Sequence, residues 1–147
     1  MSITNLPSCY VVVRQAGKIL FVLRENTRFM DGYYSLPAGR VEANESYSSG
    51  AVREAKEEVG LDIAVEDLEH AYTAHRLGAD GNIRTDVYFL VKDWSGKPVN
   101  NEPDRHSEVI WLPAHKLPDT IMDYQLAALH DIAQGVSYGE FGWPELH

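Results

Sequence analysis

The segment from Ser46 to Val59 constrains the fold most, because it predicts a helix with clear ends and one acidic face. It is rich in good helix formers and has no interior proline, and Gly60 follows in the position of a C-terminal cap. The interior Gly50 costs about 1 kcal/mol relative to alanine, which does not outweigh the other residues. We therefore predict a helix over residues 46–59.

The acidic face of this predicted helix consists of Glu54, Glu57 and Glu58. A helix turns by about 100° per residue, so these three side chains fall within an arc of about 100°. Glu54 and Glu58 are one turn apart, where like charges repel each other, and Arg53 is one turn before Glu57 and can hold it in a fixed orientation. Such a face is either a solvated charged surface or a carboxylate cluster for a divalent cation such as Mg²⁺.

The rest of the chain predicts a mixture of strands and helices. Residues 9–14 and 18–24 are rich in β-branched and aromatic side chains, and residues 15–17 between them predict a hairpin turn. Further extended segments are predicted at residues 33–36, 62–65, 70–76, 85–92 and 108–112, loops at 25–32, 78–82 and 93–105, and a second helix at 121–134 before Gly135. Because there is no βαβ alternation, we expect an α+β fold with a mixed sheet covered by helices.

Length and composition narrow the class of protein. The 147 residues suit one domain spanning residues 1–147. Thirteen Lys and Arg against 22 Asp and Glu give a net charge of -9, which argues against stable binding of nucleic acid or of an anionic membrane.

The one cysteine, Cys9, lies beside a β-branched run, so we expect a buried thiol. No signal peptide is recognised and no apolar run approaches the roughly 20 residues of a membrane span, so we expect a cytoplasmic protein.

A longer pattern includes the predicted helix and begins before it. Its fixed positions are Gly39, Glu45, Arg53, Glu54, Glu57, Glu58 and Gly60, with apolar positions at Ala55 and Leu61. From Gly39 to Leu61 the pattern resembles the Nudix box: Gly, five residues, Glu, seven residues, Arg-Glu, an apolar residue, any residue, Glu-Glu, any residue, Gly and an apolar residue. Ala55 is smaller than the Ile, Leu or Val usual at its position. Within the family, the chain is most similar to small MutT-like members.

This resemblance implies a fold and an activity. The fold is a Nudix-type αβα sandwich with a mixed sheet between helices. The activity is hydrolysis of a nucleoside diphosphate linked to another group, with Mg²⁺ or Mn²⁺ as the cofactor and a small nucleotide as the partner. A divalent cation between carboxylates and phosphates would remove the repulsion between an acidic protein and a polyanion.

The resemblance leaves several substrates open. The MutT-like size favours a nucleoside triphosphate, which would yield the monophosphate and pyrophosphate. The alternatives are an ADP-ribose, nucleotide-sugar or dinucleoside pyrophosphatase, and a non-catalytic nucleotide- or RNA-binding module.

The resemblance also assigns candidate metal ligands. Glu54, Glu57 and Glu58 come first, and Glu54 and Glu58 rank highest because they stand along one line of the helix. Glu45 can complete the ligand set, or its charge can simply favour the N-terminus of the helix. The carbonyl group of Gly39 is a further candidate, although an ordinary loop glycine would also explain that position.

Catalytic roles are expected for Arg53, Glu57 and Glu102. Arg53 is expected to orient a carboxylate rather than to contact phosphate. Glu102 is similar in placement to the loop carboxylate of MutT-like enzymes, which makes it a candidate general base. Glu108 and Glu57 are the alternatives, and both Glu102 and Glu108 can equally be surface carboxylates.

Substrate binding is expected from Arg24, Arg40 and Trp143. Arg24 resembles a phosphate-contacting position, or is a surface arginine. Trp143 belongs to an aromatic tail that can stack on a base or dock on the core. Either this tail or an edge strand can also mediate a homodimer. The histidines show no spacing typical of zinc, so we interpret them, His75 and His106 included, as structural or surface residues.

Overall fold

The computed structural model describes residues 4–144, and within them it contains nine strands and two α-helices. The strands are β1 (Asn5–Val12), β2 (Arg14–Gln15), β3 (Lys18–Arg24), β4 (Tyr34–Ser35), β5 (Ala38–Arg40), β6 (Leu68–Leu77), β7 (Ile83–Val91), β8 (His106–Pro113) and β9 (Tyr138–Phe141). The helices are α1 (Tyr47–Val59) and α2 (Asp123–Ala133). No helix in this part of the chain is long and apolar enough to cross a membrane.

The strands form two sheets. The larger one has five strands in the order β5-β1-β7-β6-β9. It is mixed, because β1 runs parallel to β7 and β6 parallel to β9, whereas β5 with β1 and β6 with β7 are antiparallel. In the smaller sheet β3 pairs antiparallel with β2, β4 and β8.

The two helices cover opposite sides of the sheets. Consecutive side chains of a strand point to opposite faces, so β1 contributes to two cores. Val11 belongs to the same core cluster as Ala55 of α1, and Tyr10 belongs to a second cluster with Leu129 of α2. Cys9 is completely buried in the first cluster, as predicted. The predicted αβα sandwich with a mixed sheet is confirmed.

The first helix ends where the sequence predicts. Ser46 is its N-cap, and the Oγ of Ser46 accepts a hydrogen bond from the N–H of Ser49 at 3.1 Å. Gly60 has φ 72°, a left-handed conformation that residues with a Cβ rarely adopt. These two caps fix the length of the helix that carries the glutamates.

The prediction of an extended segment at residues 62–65 is wrong. Only Asp62 forms a bridge, to Ser95, and a 3-10 turn follows at Val65–Asp67. A strand of four residues there would need a continuous partner, whereas the loop around Ser95 offers one bridging residue.

Two short strands and one helix boundary also differ from the predictions. β5 and β9 are not predicted, because each is short and takes its hydrogen bonds from a distant strand, β1 or β6. The second helix begins at Asp123 rather than at residue 121, because Ile121 forms an isolated bridge with Tyr34.

Candidate active site

A cavity of about 360 Å³ opens between α1, β5 and the loop before β8. Most of the predicted site residues line it, namely Arg24, Gly39, Arg40, Glu54, Glu57, Glu58 and Glu102. Three predicted residues, Glu45, Arg53 and Trp143, are not among those that line it. The fold therefore brings the acidic face of α1 together with side chains that are distant in the sequence. The two most distant of these predicted residues, Arg24 and Glu102, are 78 positions apart.

Glu58 is the most buried glutamate of the acidic face, with 8% of the residue exposed. Its Oε2 accepts a hydrogen bond from the N–H of Ala38 at 2.6 Å, which ties α1 to β5. Burial raises the pKa of the Glu58 carboxyl well above its usual range, and the nearby Glu54 carboxyl raises it further. A cation beside this carboxylate would offset the cost of ionising it, so the position favours a metal ligand.

Arg53 connects the other glutamates of the pattern. Its Nη1 donates hydrogen bonds to Glu54 at 2.8 Å and to Glu57 at 3.2 Å. Its Nη2 donates to Glu45 at 2.6 Å and to the carbonyl oxygen of Arg40 at 3.0 Å. Arg53 therefore holds three carboxylates, of which Glu54 and Glu57 line the cavity, without lining the cavity itself.

The pKa values of two carboxylates bound to Arg53, Glu45 and Glu54, are shifted in opposite directions. Hydrogen bonds from Arg53 lower the pKa of Glu45 to about 2. Burial raises the pKa of Glu54, although Arg53 opposes this effect. Glu45 is thus paired with an arginine behind the cavity, while Glu54 is both paired and on the cavity wall. The assignment of Glu45 as a metal ligand stays a prediction.

Gly39 lets β5 approach the acidic helix closely. A Cβ at this position would collide with the carboxylate of Glu54. The carbonyl oxygen of Gly39 accepts a hydrogen bond from the Cys9 thiol at 3.6 Å, and burial raises the pKa of that thiol to about 12, so it stays protonated. Close packing against Glu54 accounts for a glycine here, and the role of its carbonyl as a metal ligand stays a prediction.

The loop before β8 is attached to the C-terminal end of α1. The N–H of Val99 donates to the carbonyl oxygen of Val59 at 2.9 Å, and the N–H of Asn101 donates to that of Glu58 at 3.1 Å. Because these bonds are made to the backbone of the acidic helix, the loop position is fixed relative to the glutamates.

Within this loop, Asn100 brings two side chains to the cavity. Its Nδ2 donates to the carbonyl oxygen of His106 at 2.7 Å, and its Oδ1 accepts from the N–H of Glu102 at 3.2 Å. One ligand atom each of Glu58, Glu102 and His106 lie within 4.8 Å of one another. This group has the carboxylate and imidazole atoms that bind divalent metals, so the residues present fit such an ion.

His106 is the member of this group that the sequence does not identify. Only 3% of the residue is exposed, and its Nε2 lies 3.6 Å from Oε1 of Glu58. Burial lowers the pKa of the His106 imidazole to about 4, and Arg105 and Arg24 lower it further. The one signal in the sequence is that His106 stands four residues after Glu102. This spacing indicates a shared site only when the loop is known to be bonded to α1.

Five arginines line the same cavity as the carboxylates. They are Arg24, Arg40, Arg76, Arg84 and Arg105. Arg76 is held by a buried ion pair with Asp86, whose carboxylate oxygen lies 2.6 Å from its Nε. Arg84 is paired with Asp80 at 2.9 Å. The protein is acidic as a whole, but these guanidinium groups of its cavity suit phosphate oxygens.

A second cavity, of about 350 Å³, adjoins the first and shares Arg76 and Tyr124 with it. The guanidinium carbon of Arg76 lies 3.7 Å from the centre of the Tyr124 ring. Phe29 and Phe141 line the same space, and Phe29 is 55% exposed. This mainly apolar space suits a planar ring next to the polar cavity.

Two residues named from the sequence lie elsewhere. Trp143 packs its ring against His75, with ring centres 4.6 Å apart, and its Nε1 donates to the carbonyl oxygen of His75 at 2.8 Å. This contact docks the aromatic tail on β6, which is one of the three interpretations of the tail. Glu108 is exposed on β8, opposite Leu23 of β3, and does not line either cavity.

Comparison with known proteins gives consistent results. The model of the NUDIX domain matches residues 5–131. The chain is 34% identical over 114 residues to an ADP-ribose pyrophosphatase of Methanocaldococcus jannaschii, covering 78% of this chain and 65% of that protein. It is 27% identical over 116 residues to the CTP pyrophosphohydrolase of Escherichia coli, covering 79% and 78%. The chain therefore spans slightly less than two thirds of the first relative.

A solved structure agrees with these sequence matches. The MutT NUDIX hydrolase from Burkholderia pseudomallei superimposes with a TM-score of 0.78 and is 25% identical. The match covers 86% of this chain and 97% of that one.

Proposed function

The chain belongs to the NUDIX domain family, and from that membership we propose that it hydrolyses a phosphoric anhydride bond of a nucleotide with a divalent cation, Mg²⁺ or Mn²⁺. The observation that carries the proposal is the cavity itself. It is lined both by the carboxylates of Glu54, Glu57 and Glu58 and by five arginines. A polyphosphate bridging a cation and guanidinium groups would use both kinds of group in such a cavity.

The residues of the cavity divide the work of this reaction. A divalent cation bound by the carboxylates would polarise a phosphate oxygen and lower the pKa of a bound water. The arginines bind the remaining phosphate oxygens and hold the anhydride in place. The oxygen of a water forms a bond to phosphorus, the bridging oxygen leaves with the electron pair of the broken bond, and a carboxylate takes the proton of the water.

Two carboxylates are candidates to take that proton, Glu102 and Glu57. Glu102 is partly buried, with 28% of its side chain exposed, whereas the side chain of Glu57 is 53% exposed and held by Arg53 at 3.2 Å. Arg53 acts as a positioning residue, because it reaches three carboxylates and does not line the cavity.

The favoured substrate class is a nucleoside triphosphate, giving a monophosphate and pyrophosphate. The CTP pyrophosphohydrolase among the similar proteins supports this class. The apolar cavity beside Phe29 and Tyr124 would receive the base. An ADP-ribose-like substrate is the second candidate, and the relative named ADP-ribose pyrophosphatase favours it.

The test is hydrolysis of a panel of nucleoside triphosphates, ADP-ribose, nucleotide sugars and dinucleoside polyphosphates with Mg²⁺ or Mn²⁺, with products identified by mass. We expect free pyrophosphate from a triphosphate; two phosphomonoesters without pyrophosphate would favour the second candidate. Glu54→Gln and Glu58→Gln should lower turnover by at least about 10²-fold, because each removes a candidate ligand. Glu66→Gln, an exposed glutamate outside the cavity, is the matched control. Full turnover in both cavity variants would contradict the proposal.

A further inference from the structure

His106 presents a ring nitrogen to the carboxylates of the cavity although the residue is almost completely buried. It is 3% exposed and lines the same cavity as Glu58 and Glu102. Among residues 4–144, its Nδ1 has no hydrogen-bond partner, and its Nε2 has only the Glu58 carboxylate at 3.6 Å. Of the two ring nitrogens, Nε2 is the one beside the carboxylates, and it makes no hydrogen bond there, so this nitrogen is available to an ion.

The distance between His106 and Glu58 is close to that between two ligands of one ion. It is longer than a good hydrogen bond between a nitrogen and a carboxylate oxygen. Neighbouring ligand atoms at about 2.1 Å from an octahedral ion lie about 3.0 Å apart, so binding would bring these two atoms about 0.6 Å closer. Glu102 completes a set of three, since one ligand atom from each of the three residues lies within 4.8 Å of the others.

The surrounding backbone holds this set in place. Asn100 binds the backbone of both His106 and Glu102, and the neighbouring Asn101 is bonded to the backbone of Glu58. None of these bonds uses the imidazole ring. The loop therefore fixes His106 beside the carboxylates while leaving its ring nitrogens available.

Building on the divalent-cation chemistry of the proposed function, we propose that Nε2 of His106 is a metal ligand together with Glu58 and Glu102, and that this site prefers a transition-metal ion such as Mn²⁺ to Mg²⁺. Mg²⁺ takes oxygen ligands, whereas an imidazole nitrogen suits transition-metal ions. With Glu102 bound to the ion, Glu57 is the carboxylate left to take the proton of the attacking water.

The experiment measures the ligands of Mn²⁺ directly, without nucleotide. Metal-free protein receives one equivalent of Mn²⁺, and electron spin-echo envelope modulation detects a coordinated nitrogen. We expect ¹⁴N modulation in the wild-type protein. In wild-type protein whose histidines alone carry ¹⁵N, we expect the ¹⁵N pattern instead. That labelling needs no substitution, so the result does not depend on the folding of a variant.

The variant His106→Gln identifies which histidine is bound. We expect it to lose the nitrogen modulation and to bind Mn²⁺ at least about tenfold more weakly, while Mg²⁺ affinity changes by less than about threefold. His130→Gln, an exposed histidine on α2, is the matched control and should leave both affinities and the modulation unchanged.

Two results would overturn the inference: a wild-type spectrum without nitrogen modulation, or modulation that persists in His106→Gln. If the wild-type protein still hydrolyses nucleotides with either metal, the proposed function stands and only the role of His106 fails. If nitrogen modulation is present but no nucleotide is hydrolysed, the metal site stands and the proposed function fails.

Discussion

At the scale of single residues, Arg53 decides how the acidic cluster is arranged. The sequence predicts its pairing with Glu57, because residues four apart on a helix are neighbours. Its bonds to Glu45, eight positions earlier, and to the carbonyl oxygen of Arg40 require the turn that leads into α1, which no local pattern describes. The sequence thus identifies the charged residues of the site, whereas the fold determines which of them pair.

The pairing of Glu45 with Arg53 predicts a dependence of stability on pH. The pKa of Glu45 is lowered from 4.5 to about 2 in the folded protein, so the unfolded protein binds this proton more tightly. The carboxylate therefore contributes stability above pH 4.5 that is lost as the pH falls toward 2. In metal-free protein, we expect the difference in unfolding free energy between wild type and Glu45→Gln to shrink over this range.

Denaturant titrations of both proteins at a series of pH values measure this difference. The carboxylates that do not contact Arg53 have the same surroundings in wild type and variant, so their contributions cancel in the comparison. A difference that grows as the pH falls would contradict the pairing.

At the scale of elements, the site depends on the contact between β5 and α1. The helix is predicted from local signals, since Ser46 and Gly60 cap it. β5 is not predicted, because its three residues are held by pairing with β1. The place of His106 in the cavity is not predicted for the same reason: its position beside Glu58 follows from the attachment of the loop to α1, and its sequence neighbours carry no sign of it.

The close approach of β5 to the acidic helix predicts the effect of Gly39→Ala. The added Cβ would collide with the Glu54 carboxylate, so this carboxylate has to leave its present position on the cavity wall. A displacement of about 1 Å in a site of this kind costs about 10²-fold in kcat/KM. We expect a loss of that size in hydrolysis of the preferred nucleotide.

Gly135→Ala is the matched control for that measurement. Gly135 has φ 78° and open space around its Cα, so alanine there is strained without touching the cavity. It should lower the unfolding free energy by about 1 kcal/mol and leave kcat/KM unchanged. Equal activity in Gly39→Ala and Gly135→Ala would show that the contact between Gly39 and Glu54 does not matter for the site.

At the scale of the whole molecule, charge is distributed unevenly. The net charge of -9 suggests a protein that repels phosphates, but five arginines line one cavity. They come from several strands and a loop, so neither composition nor any single segment of sequence reveals them together. The fold class is predictable because strands buried on both faces and two helices leave few ways to arrange the layers. This group of arginines is visible only in the folded chain.

The central claim is that the carboxylates of this cavity bind a divalent cation, and a crystal of the protein soaked in Mn²⁺ tests it most directly. The anomalous difference map should show a peak within coordination distance of Glu58, inside the cavity that the arginines face. A map without a peak there, from a crystal in which the cavity is open to solvent and the fold is intact, would contradict the account.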